Sequence, residues 1–156
     1  MKTEKIKALR EKLRILEREA FSVFNVEEGC CGLTLSQCHT LIEVGNKGDV
    51  SLVDLAFSLN LDTSTLSRAI QGLVMIGLVR RTTNEKDRRY VTISLTEQGR
   101  KVYEQIENVY NAFMAQVFER IPADKHDEIL TSLEIFVDAV KKTNDAGGCC
   151  RKGKRS

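Results

Sequence analysis

The segment from Ser51 to Leu95 constrains this chain most. Ser51–Leu59 is a short stretch carrying Leu52, Leu55, Ala56 and Leu59. Asn60-Leu61-Asp62 leaves room only for a tight turn. Thr63–Ile76 then repeats Leu66, Ala69, Ile70 and Leu73 at helical spacing, with Asp62 in position to cap it. Its opposite face is Ser64, Arg68, Gln71 and Met75. A short helix, a tight turn and a second helix with such an outer face predict a helix-turn-helix. Leu78–Thr83 is β-prone. Tyr90–Leu95 alternates Val91, Ile93 and Leu95 against Tyr90, Thr92 and Ser94, the pattern of a half-buried strand. The polar run Asn84–Arg88 between them makes the pair a hairpin.

The flanks read as helices. Over residues 3–25, Ile6, Leu9, Leu13, Leu16, Ala20 and Val23 form one apolar stripe. Residues 34–45 form a second helix, opened by Thr34 or Ser36, with a turn at Asn46–Asp49 after it. Thr96 is placed to cap a helix over about 97–120 that carries Val102, Ile106, Val109, Tyr110, Phe113 and Val117. Pro122 suits the first turn of a final helix striped by Ile129, Leu133, Phe136, Val137 and Val140. His126, at the start of that helix, has no companion in the sequence and reads as a surface residue. The expected fold is mainly α: an α+β winged helix flanked by a helical region.

Charge narrows the function. The 156 residues carry a net charge of only +2, but unevenly. Residues 1–19 hold seven basic and four acidic groups, residues 80–89 five and two, and residues 101–145 five and nine. Such a distribution fits a protein that docks one face on a polyanion. The longest apolar run, Gly72–Val79, is eight residues, far below the roughly 18–20 of a membrane span. The charged opening segment does not read as a secretory signal. A cytoplasmic protein without membrane contact is expected. Nucleophile–base pairs, glycine-rich phosphate loops and HExxH zinc motifs are missing from the sequence, so an enzyme is not expected.

An α-helix fits the DNA major groove, where Arg reads guanine and Gln reads adenine. The hairpin supplies Arg80, Arg81, Lys86, Arg88 and Arg89. A basic hairpin tip can reach the phosphate backbone or a narrow, electronegative minor groove.

These residues resemble a known family. Val53-Asp54-Leu55-Ala56, Ser64-Thr65-Leu66-Ser67-Arg68 and Leu73 through Arg81 are similar to the winged helix-turn-helix of MarR-family transcriptional regulators. The most specific stretch is Asp87 through Gly99, which matches that family's wing and the start of the next helix. The resemblance spans about residues 5–143. It implies a homodimer on a pseudo-palindromic operator, most often as a repressor. It assigns 1–33 and 97–145 to dimerisation, and 34–96 to double-stranded DNA. Residues 146–156 remain as a basic, flexible tail. It implies that Ser64, Thr65, Ser67, Arg68 and Gln71 face the major groove or its phosphates. Arg80 and Arg81 would touch phosphates or support the wing. Asp87 would orient the wing by pairing with Arg89. Either Arg88 or Arg89 would enter the minor groove, with Lys86 beside them.

Family members respond to a small ligand, an oxidant or a metal, without a required cofactor. The five cysteines are candidates here: Cys30 with Cys31, Cys38, and Cys149 with Cys150. Three chemistries fit. A soft metalloid such as As(III) or Sb(III) would take three thiolates; the sequence offers five, with Cys30, Cys31 and Cys38 as the metal candidates. Oxidation could couple cysteines across segments, since a bond within a vicinal pair is strained. A zinc-like ion could use Cys38, His39 and Cys30 or Cys31, although the spacing is not that of a zinc knuckle. The alternative for Cys38 is a small core residue. The competing class is a helical adaptor or thiol metal-binding protein that never meets DNA; such a protein has no use for Asp87-Arg88-Arg89 on a hairpin.

Overall fold

A computed structural model describes residues 2–23, 32–83 and 91–145. The elements are α1 (Lys2–Val23), α2 (Leu35–Lys47), β1 (Val50–Ser51), α3 (Leu52–Leu59), α4 (Thr63–Met75), β2 (Val79–Thr83), β3 (Val91–Leu95), α5 (Glu97–Glu119) and α6 (His126–Asp145). A 3-10 turn covers Ala123–Lys125. The fold is the mainly α winged helix expected from the sequence.

Each helix of the central segment starts on a side-chain cap, which satisfies amide donors the helix itself cannot. Thr34 Oγ1 accepts from Gln37 N, and Gln37 Oε1 accepts from Thr34 N at 2.9 Å, a complete capping box. Ser51 Oγ accepts from Asp54 N at 3.1 Å to open α3. Asp62 Oδ1 accepts from Thr65 N at 2.9 Å to open α4. Asn60 ends α3 in the left-handed region, with φ 49°, and so lets the chain reverse in three residues.

The core lies inside this segment. Leu41 and Val44 of α2, Leu55 of α3, Leu66, Ile70 and Leu73 of α4, and Ile93 of β3 are all fully buried. Burial of each such side chain stabilises by about 1.5–3 kcal/mol. Among the described residues every buried side-chain polar atom has a hydrogen-bond partner.

The sheet is antiparallel in the order β1-β3-β2. Val79 pairs with Leu95, Arg80 with Ser94 and Arg81 with Ile93. On the other edge Val50 pairs with Ile93 and Ser51 with Thr92. The sequence reading did not include β1, because two residues carry no alternation to detect. Gly77, with φ 74°, turns the chain from α4 into β2. The first turn of α5 docks there: Thr96 Oγ1 donates to Gly77 O at 2.6 Å and accepts from Gly99 N at 3.0 Å.

Two expectations near the C-terminal end need correction. Pro122 is not in the first turn of the last helix. It precedes the 3-10 turn, which runs into α6 only at His126. Nor is His126 a bare surface residue. It is half-buried, its ring meets Phe118 edge-on with centroids 4.8 Å apart, and its Nε2 lies 3.1 Å from the carbonyl oxygens of both Phe118 and Ile121. Those carbonyls belong to the end of α5 and the residue after the turn, where a helix leaves acceptors unmatched.

The chain divides into two compact units, Met1–Asn108 and Val109–Ser156, with the break inside α5. In the first, α1 leaves Ile6, Leu9, Leu13 and Leu16 exposed. In the second, α6 leaves Leu130, Leu133, Val137 and Val140 exposed. No helix among the described residues is long and apolar enough to cross a membrane.

Candidate nucleic-acid interface

α4 buries Leu66, Ala69, Ile70 and Leu73, the four residues its periodicity assigns to the core. That fixes its rotation. Ser64, Arg68, Gln71 and Met75 are consequently all exposed, in one line along the helix. Thr65 and Ser67 flank the line and are half-buried. The structure gives Thr65 an occupation that the sequence reading did not assign. Its Oγ1 donates to Asp62 Oδ2 at 2.6 Å while its N–H donates to Oδ1.

Those two bonds from Thr65, the side-chain one foremost, hold the Asp62 carboxyl below its ordinary pKa of 3.8. A carboxylate favoured in the folded state stabilises it above the unfolded pKa and loses that effect as pH falls through the folded value. Asp62→Ala is therefore expected to melt lower than the parent at neutral pH. The gap should close on acidification below 3.8. Thermal melts of both proteins across that range check this; a gap independent of pH would mean that the carboxylate charge does not contribute.

The strand register sends the two wing arginines of β2 to opposite faces. Arg81 stands across from Ile93, on the side that also carries Val79 and Leu95. Arg80 stands across from Ser94 and donates from Nε to Ser94 Oγ at 2.9 Å. Ser94 is 7% exposed, although strand alternation puts it on the polar side. Both arginines are exposed. Lys86, Asp87, Arg88 and Arg89 lie outside the described residues.

The model of the MarR family matches residues 33–91, from the start of α2 to the start of β3. Over that segment the chain is similar to members of the MarR family. It is similar to the HTH-type transcriptional regulator BilQ of Clostridium symbiosum (strain WAL-14163), at 26% identity over 136 residues, covering 86% of this chain and 92% of that one. It superposes on a MarR transcriptional regulator from Methanosarcina mazei Go1 with a TM-score of 0.73 and 27% identity, covering 87% of this chain and 98% of the other. Streptococcus pneumoniae FabT, solved in complex with DNA, shares the fold with a TM-score of 0.80 at 17% identity, over 88% and 98% of the two chains. The relatives it is similar to are transcriptional regulators.

Cys38 is 2% exposed, on the α2 face that also buries Leu41 and Val44. A solute reaches its thiol only if α2 loosens. His39, the next residue, points away and is exposed. Among the described residues no three His, Cys, Asp or Glu side chains are grouped so as to hold a metal ion. Cys30, Cys31, Cys149 and Cys150 lie outside the described residues.

Proposed function

We propose that this chain is a MarR-family homodimeric repressor whose α4 helices enter successive major grooves of a pseudo-palindromic operator. The observation that carries this is the exposed Ser64–Arg68–Gln71 line, held in a fixed rotation by a fully buried opposite face. Arg68 suits a guanine edge and Gln71 an adenine edge. Ser64 and Ser67 suit phosphates, and Thr65 serves as the cap that orders the helix start. Arg80 and Arg81 contact the backbone, and the tip residues Lys86, Asp87, Arg88 and Arg89 form the minor-groove arm. FabT, a protein of this fold, was solved on DNA, in keeping with the reading.

The dimer is built by residues 1–33 and 97–145, and the DNA-binding part by 34–96. The exposed apolar stripes of α1 and α6 support pairing, since burying them on a second copy removes a large apolar area from water. A two-fold axis then sets the two α4 helices about 34 Å apart, one turn of DNA.

Sensing is assigned to the thiols. Cys30, Cys31, Cys149 and Cys150 form two vicinal pairs that suit a soft metalloid or an oxidant. Cys38 itself is in the core. The test is fluorescence anisotropy of the reduced protein on DNA from upstream of its own gene, followed by stoichiometric arsenite. Affinity is expected to fall roughly fivefold or more, the lower end of allosteric coupling. The fall should be absent in a Cys30→Ser, Cys31→Ser double variant. Tight binding that arsenite leaves unmoved would remove metalloid sensing and leave DNA binding intact. No binding to any operator-length duplex would remove the DNA reading itself.

A further inference from the structure

Met75 is 78% exposed, unusually so for a large apolar side chain. Isolated exposed apolar residues are ordinary and need no explanation. Its place on α4 is different. At 3.6 residues per turn, Ser64, Arg68, Gln71 and Met75 fall within an arc of about 60°. Met75 lies angularly between Arg68 and Gln71, at the C-terminal end of the same line. A helix laid in the major groove with Arg68 and Gln71 against base edges carries Met75 along the same floor.

We propose that Met75 is a specificity-determining residue of the DNA interface, reading the 5-methyl group of a thymine. This rests on the reading of α4 as the major-groove helix. The chemistry follows from what the groove floor offers. Each base pair presents hydrogen-bonding edges there, and thymine alone adds an apolar group. A thioether on an unbranched stem adapts its shape to such a group. Covering both removes apolar surface from water on each side. The axial rise of 1.5 Å per residue puts Met75 about 6 Å beyond Gln71. With base pairs spaced about 3.4 Å apart, the thymine lies about two steps from the base that Gln71 reads.

The test uses the full-length protein and a duplex carrying the operator it selects from a random pool. Each thymine of the half-site is replaced singly by deoxyuridine, which lacks only the 5-methyl group. The parent protein is expected to lose about fourfold in affinity at one thymine per half-site, the worth of one buried methyl. Met75→Ala should bind the unmodified duplex weaker by a similar factor and be indifferent to the replacement. Met75→Leu should keep the sensitivity. A parent protein indifferent at every thymine, or a Met75→Ala variant as sensitive as the parent, overturns the proposal. Arg68→Ala separates the two levels. If it loses affinity while thymine replacement has no effect, only the Met75 assignment fails. If Arg68→Ala, too, binds like the parent, α4 is not the reading helix and both fail.

Discussion

Gly99→Ala is expected to destabilise the protein by about 3 kcal/mol, at the upper end of what an overpacked site costs. For a chain of this size that lowers the melting temperature by roughly 6–12 °C. The direction is the informative part. In an exposed helix, glycine to alanine gains about 1 kcal/mol. Gly99 sits in the first turn of α5, against the α4–β2 connection. A Cβ built there would stand 2.8 Å from the Leu78 carbonyl carbon and closer still to its oxygen. The obstacle is backbone, so no rotamer change relieves it. The Leu78 carbonyl is also committed, accepting from Thr96 N at 3.0 Å. The helix start must move, and Thr96 must give up its bonds to Gly77 and Gly99. A thermal melt decides the matter; an unchanged or raised midpoint would mean that α5 docks differently.

The second large effect is on DNA. Arg68→Ala is expected to weaken operator binding by about 1–3 kcal/mol, or roughly 5- to 150-fold, while leaving random-sequence DNA nearly unaffected. Arg68 is exposed on α4 and takes no part in the core, so the melting temperature should hold. Arg68→Lys should recover little. An ammonium cannot reproduce the two parallel bonds that a guanidinium makes to a guanine edge. Anisotropy titrations on operator and scrambled duplexes separate the cases. An equal loss on both would move Arg68 from base reading to phosphate contact.

Legibility in the sequence followed the length of the pattern. α4 was readable to the residue on its buried face, because four apolar positions at helical spacing leave one solution. Asp62 was readable as its cap for the same reason: it precedes that pattern directly. β1 was not readable, since its two residues owe their conformation to pairing with β3 across forty positions of sequence. The second task of Thr65 was hidden as well. A hydroxyl in the first turn of a reading helix looks like a base or phosphate contact until the cap is seen to hold it. Ser94 stands on the polar side of an alternating strand, and only the register against Arg80 explains its burial. His126 was misread because its partners are backbone carbonyls, which no side-chain motif announces. Arg80 and Arg81 were given one joint role by the sequence, and only the register of β2 against β3 sets them on opposite faces.

Ser51 belongs to two elements at once. It pairs across from Thr92 at the sheet edge, and its hydroxyl caps α3. The hairpin and the helix-turn-helix are thereby riveted at one residue. Rotating α3 while the wing stays still would break either the strand pairing or the cap. The helix-turn-helix and the strands of the hairpin thus travel together as one tool head. A signal that releases this protein from DNA has no cheap way to blunt the head itself. In the proposed dimer it must change how far apart, or at what angle, two intact heads are carried.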